Sequence, residues 1–214
     1  MVATNAITPR TGSVSAGTSS FAMLVLERPM KGFYPEIDVV CTPSGRTVAM
    51  AHTNTCTSEI DAWVNPIADA ARTMGWPVDM NTLYTTLFQQ AMEGAAACDG
   101  IISFNYFAGE PLTATETGRP MLVRLPDSKM TAANFMRAQL NGAIATLVIR
   151  MQMLRDEEDV ESDMLLGHGG FFKTPGPGQQ VLADALNVPI TTMETAGEGG
   201  PWGMALLASY MHRK

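Results

Sequence analysis

Three short stretches of this sequence carry residue types suited to holding phosphate or a flat ligand. The first, Ala16-Gly17-Thr18-Ser19-Ser20, stands between two apolar runs. Glycine lets backbone approach a ligand closely, and hydroxyls with exposed amides donate to phosphate oxygens; the same residues also make an ordinary hairpin turn. The second, Gly167-His168-Gly169-Gly170, ends an apolar run and precedes a helical pattern, so bare backbone there lies near the positive end of a helix. It fits GxGxxG only up to the third glycine, where Phe172 stands. A P-loop ending in Lys173-Thr174 fails at the same residue, so a structural tight turn remains the competing reading. The third, Glu194-Thr195-Ala196-Gly197-Glu198-Gly199-Gly200, opens the last helical pattern, where its glutamates either touch a ribose or cap a helix amino end.

The elements that must position these stretches follow from periodicity. Residues 13–16, 21–26, 36–41 and 46–51 read as an early antiparallel meander, the last two joined by Thr42-Pro43-Ser44-Gly45. Residues 58–74 place Ile60, Trp63, Val64, Ile67 and Ala71 at helical spacing, and 80–93 do the same with Leu83, Leu87 and Met92. A short aromatic strand is predicted at 101–107, then a loop to Leu125 punctuated by Gly109, Pro111, Gly118 and Pro120. The strongest helix signal is 131–155, with Met136, Leu140, Ala143, Leu147, Met151 and Leu154 on one stripe. After it, strands at 163–166 and 188–193 alternate with helices at 178–186 and 200–212, as in nucleotide-binding α/β domains.

Composition narrows the function classes. The net charge is -7, and no stretch concentrates the Lys and Arg that nucleic-acid phosphates need. The acids Asp156, Glu157, Glu158, Asp159, Glu161 and Asp163 read as a solvated loop. Cys41, Cys56 and Cys98 form no CxxC pair and are odd in number; they are expected to be buried thiols of a reducing compartment. His52, His168 and His212 lack zinc-site spacing, so no metal ligands are expected in the chain. No apolar run approaches membrane-span length and the first residues do not resemble a signal peptide, so a cytoplasmic protein without membrane contact is expected. At 46% hydrophobic against 16% charged residues, the chain is apolar enough to predict a surface that faces another domain or subunit.

Taken in order, the motifs resemble the C-terminal domain of the FGGY carbohydrate kinases, xylulokinase- or ribulokinase-like members of the actin-like ATPase superfamily. Ala16 through Phe21 resembles the second phosphate loop of that family, and Phe104-Asn105-Tyr106-Phe107-Ala108-Gly109-Glu110 its segment ending in Ser-Gly-Glu. Asn134-Phe135-Met136-Arg137-Ala138-Gln139-Leu140-Asn141-Gly142 resembles the helix of its second signature, with Asn134 and Asn141 where His and Glu are usual. Gly167-His168-Gly169-Gly170 is similar to its adenosine loop, although Phe171 to Gly176 is bulkier than the usual small residues. Glu198-Gly199-Gly200-Pro201-Trp202-Gly203 resembles the entry to its terminal helix.

The resemblance implies an α/β, ribonuclease H-like actin-type ATPase domain over 12–214, with a mixed sheet, antiparallel first and parallel later, and helices on both faces. Residues 1–11 would then be the remnant of an interdomain segment. It implies that Gly17, Thr18 and Ser19 hold the terminal phosphates of ATP or ADP, and that Gly169, Gly170, Thr174 and Glu198 form the adenosine site, with Lys173 nearby. Mg2+ would be held by the nucleotide and by an N-terminal domain that also supplies the catalytic base and most of the sugar site. This chain would then contain no catalytic residue and be inactive alone, its exposed cleft face leaving room for a homodimer. A non-catalytic actin-like regulator and a Rossmann-type dinucleotide binder are the alternatives.

Overall fold

The computed structural model describes residue 1 and residues 4–104, 106–193 and 199–212. The first four strands are β1 (Thr11–Ala16), β2 (Ser20–Val25), β3 (Ile37–Cys41) and β4 (Thr47–Thr53). They are followed by α1 (Thr57–Thr73), α2 (Met80–Ala91), β5 (Ile102–Phe104), β6 (Met121–Val123) and α3 (Ala132–Glu158). The chain continues through β7 (Met164–His168), α4 (Pro177–Leu186), β8 (Ile190–Thr192) and α5 (Gly199–His212). Six strands form one sheet in the order β3-β4-β2-β1-β7-β8. The meander β1 to β4 is antiparallel throughout, whereas β7 pairs parallel with β1 and β8 parallel with β7. The mixed sheet and its helices match the α/β expectation.

Alternation builds the core. Val14 and Ala16 of β1, Ala22 and Leu24 of β2, Ala49 and Ala51 of β4 and Leu165 of β7 share one sheet face and one apolar cluster. Packed on them are Ile60 and Val64 of α1, Leu87 and Phe88 of α2, Val181 and Leu182 of α4, and the α3 stripe. That stripe is buried along its length, from Met136 through Leu154. Thr131 caps α3, accepting from the Asn134 amide at 3.1 Å. Asp79 caps α2 in the same way, from Thr82 at 2.8 Å. On the opposite sheet face Ser13, Val25, Val48 and Leu166 are buried as well.

Three local expectations are corrected. The helix predicted to stop at Arg155 runs on to Glu158, which is buried because it accepts from the backbone amides of Lys31 (2.6 Å) and Gly32 (2.9 Å). The other acids of the run, Asp156, Glu157, Asp159, Glu161 and Asp163, are exposed as expected. Asp159 pairs with Arg28 and Lys31, and Arg10 with Glu161 and Asp163. Cys41 is exposed, because it ends the edge strand β3; Cys56 and Cys98 are buried as expected. The stretch read as loop before Leu125 holds β6, which pairs antiparallel with β5, itself shorter than predicted. Among the described residues no helix is long and apolar enough to cross a membrane.

Candidate functional site

The hairpin between β1 and β2 is Gly17-Thr18-Ser19. The Gly17 amide donates to the Ser19 carbonyl at 2.9 Å, and the carbonyls of Gly17 and Thr18 turn inward to the start of α1. There Thr57 N donates to Gly17 O (2.9 Å), Cys56 N to Thr18 O (2.7 Å) and Ser58 Oγ to Thr18 O (3.0 Å). With the carbonyls engaged, the Thr18 and Ser19 side chains remain exposed. A Cβ placed on Gly17 would meet nothing within 4 Å, so ligand atoms can approach that backbone. Beneath the loop lie the bonded Ser20 and Thr53 hydroxyls, 2.8 Å apart, and the Cys56 thiol, which burial pushes up to about 12. Cys56 is accordingly a packed thiol and not a nucleophile.

The glycine run reaches the same place from β7. Ser15 and His168 are paired in register, which carries Gly169 beside the end of β1. Gly169 sits at φ 105°, and a Cβ there would lie 2.5 Å from the Ala16 carbonyl oxygen, one residue before the hairpin. Only glycine permits that approach. A single 3-10 turn, Gly170–Phe172, then leads toward α4. Phe171 and Phe172 point into the core, edge to face at 5.5 Å, and Phe171 also meets Phe88. The bulk that distinguishes this loop is thus spent on packing, leaving Gly170, Lys173 and Thr174 at the surface of a cleft.

That cleft, about 470 Å3, lies between the turn and the helices α1 and α2, and takes in Thr57, Asp61, Asn81 and Tyr84. Its size suits a small ligand. Tyr84 Oη donates to Asp61 Oδ1 at 2.7 Å, and burial together with that carboxylate holds the phenol above its ordinary pKa. Lys173 Nζ reaches Asn81 Oδ1 at 3.5 Å across the rim. Burial lowers the pKa of His168 from its ordinary value. Two other depressions differ in character. One of about 410 Å3 at the far end of the strands is lined by the Arg28–Asp159 ion pair and by Glu27, Glu158 and Glu161, and a groove of about 630 Å3 runs between α3 and α4.

The model of the FGGY family of carbohydrate kinases, C-terminal domain, matches residues 12–212. The chain belongs to that family. Its fold is similar to that of the xylulose kinase from Rhodospirillum rubrum (TM-score 0.72, 16% identity, 97% of this chain and 40% of that one). The ligand-bound xylulose kinase from Lactobacillus acidophilus gives TM-score 0.71 at 18% identity, over 100% and 41%. The glycerol kinase from Plasmodium falciparum with ADP gives 0.72 at 16%, over 96% and 39%. The chain therefore spans about two fifths of the length of these kinases. No curated protein sequence matches it.

Within this FGGY domain the expected residues Gly17, Thr18, Ser19, Gly169, Gly170 and Thr174 come together at one end of β1 and β7, with Lys173 beside them. Glu198 lies outside the described residues. Thr57, Asp61, Asn81 and Tyr84 were not expected; their only sequence trace is a polar face on two amphipathic helices. The departures in the signature helix are structural. Asn134 bridges the Ala95 amide and the Lys129 carbonyl at 2.8 and 2.9 Å, and Asn141 reaches the Cys98 sulfur at 3.4 Å. Among the described residues no group of three His, Cys, Asp or Glu side chains could hold a metal ion.

Proposed function

We propose that this domain supplies the ATP-binding wall of a carbohydrate kinase that transfers the γ-phosphate to a hydroxyl of a ketopentose or related sugar or polyol. The observation that carries this reading is the close approach of Gly169 to Ala16, which brings the glycine turn, whose Gly170 lines the cleft, beside the hydroxyl hairpin. In this reading Thr18 and Ser19 donate to the terminal phosphates, Gly17 lets those phosphates approach the backbone, and Gly170 and Thr174 border the adenosine with Asp61 and Tyr84. Glu198 is assigned to the ribose end. Phosphoryl transfer of this kind rests on positioning and charge stabilisation plus a base that accepts the hydroxyl proton. An N-terminal domain supplies that base and the rest of the sugar site, as the two-fifths coverage of the kinases supports. The residues here suit a nucleotide but not a protein-held cation, so Mg2+ arrives with the nucleotide, where it neutralises phosphate charge. The protein works in the cytoplasm, where its three thiols stay reduced.

Thermal-shift measurements with ADP and NAD side by side test the reading. ADP at about a hundred times its Kd should add about 2.7 kcal/mol of stability, and NAD should add less. A larger shift with NAD would favour a dinucleotide site and overturn the proposal. The isolated chain should not phosphorylate xylulose, ribulose, gluconate or glycerol; turnover in the ordinary range of roughly 1–1000 per second would contradict the division of labour.

A further inference from the structure

We infer that a buried ion pair between Arg150 and Glu110 positions the phosphate hairpin through Asn54, and so sets the affinity for nucleotide phosphates without touching them. Arg150 lies in α3 and Glu110 follows the β5 strand; Arg150 Nη2 meets Glu110 Oε1 at 3.0 Å, and the two side chains are 1% and 4% exposed. Burying such a pair is costly, and here the cost is only partly offset, because Nε and Nη1 of Arg150 have no partner among the described residues. Stability alone does not account for it.

What the pair holds is the link between β4 and α1. Glu110 Oε2 accepts from the Asn54 amide at 3.2 Å, and the Asn54 side-chain amide donates back to the Gly109 carbonyl. A second clip lies five residues after Asn54, where Glu59 Oε1 accepts from the Phe107 amide at 2.7 Å. Between Asn54 and Glu59 stand the three donors that fix the hairpin: Cys56 N, Thr57 N and Ser58 Oγ, all bonded to Gly17 or Thr18 carbonyls. A continuous chain of bonds thus runs from α3 through Glu110 and Asn54 to the backbone of Gly17 and Thr18. The adenosine side of the cleft, at Asp61, Tyr84 and Thr174, lies outside that chain. Arg150 and Glu110 are therefore positioning residues for the phosphate end alone.

The inference rests on the nucleotide reading, and NMR titration of the chain with ADP and, separately, with adenosine distinguishes the two. In the wild type both ligands should bind, ADP more tightly. Glu110→Gln and Arg150→Met should raise the ADP Kd by about tenfold, the loss of roughly one charge-assisted contact, with the adenosine Kd changed less than about twofold. Arg150→Lys, which keeps a cation beside Glu110, should recover most of the ADP affinity. Asn54→Ala removes an exposed side chain and leaves the core alone; it deletes the bond to the Gly109 carbonyl while the Asn54 amide stays on Glu110, so it loosens the same junction by its second bond even where the buried variants fail to fold. It should raise the ADP Kd by about threefold with adenosine unchanged. If ADP binding is unmoved in a folded variant, or ADP and adenosine weaken in equal proportion, the positioning role is wrong while the nucleotide site stands. A wild-type chain that binds neither ligand overturns both.

Discussion

Gly169 is the residue at which the two halves of the cleft edge touch. Its φ of 105° and the 2.5 Å that would separate a Cβ from the Ala16 carbonyl mean that neither rotation nor repacking of a side chain relieves a substitution. Gly169→Ala should destabilise the chain by about 2 kcal/mol or more in urea denaturation. Thr18→Ala should behave in the opposite sense, because its side chain is exposed and its backbone bonds persist. Its stability should stay within about 0.5 kcal/mol of wild type while the ADP Kd rises roughly tenfold. Burial raises the pKa of Glu59, so its ionisation works against folding. That penalty is absent below the ordinary glutamate pKa and complete above the raised one. Glu59→Gln should therefore melt above wild type at neutral pH and lose the advantage near pH 4; the reverse trend would show the carboxylate to be stabilising. Thr18 and Gly169 stood out because small and hydroxylated residues are conspicuous in turns between apolar runs, whereas Thr174 came only from the family resemblance. Asp61, Tyr84, Glu59 and Arg150 were not, since a charged or polar residue on a helix looks the same in sequence whether it faces solvent, a cleft or a buried carboxylate.

At the level of elements, local chemistry sets where helices begin and long-range chemistry sets where one of them ends. The Thr131 cap of α3 is local: Thr131→Ala should cost about 1 kcal/mol by denaturant melting, and an unchanged midpoint would remove the cap from the account. The last turn of α3 depends on Glu158 and the amides of Lys31 and Gly32, which hold that carboxyl below its ordinary pKa. A lowered carboxyl pKa stabilises the fold above the unfolded value, and the contribution is lost as pH falls through the folded one. Acid should therefore release the α3 end early, as faster amide exchange at Lys31 and Gly32 below pH 4 than at pH 7 after correction for intrinsic rates. The early meander and the α3 stripe could be read from period-two and helical spacing, the strand ends to within two residues. The end of α3 and the β5–β6 hairpin could not. Glu158 is buried by amides more than a hundred residues away, and three-residue strands carry too little alternation to register.

For the whole molecule, the apolar excess of the sequence has visible destinations. Ile102, Phe104, Met121 and Val123 are exposed on one face of the paired β5 and β6, and α5 exposes Trp202, Met204, Tyr210 and Met211. Surfaces of that kind ordinarily lie against a partner. Sedimentation of the isolated chain should show concentration-dependent association, and a monomer throughout the micromolar range would argue that these faces are tolerated in water. The central claim is that hairpin and glycine turn, some 150 positions apart in sequence, are two walls of one nucleotide cradle. The most direct test is an amide NMR titration with ADP. Gly17, Thr18, Ser19, Gly170 and Thr174 should shift together along a single binding curve, whereas shifts confined to one loop, or centred on the α3–α4 groove, would contradict the account.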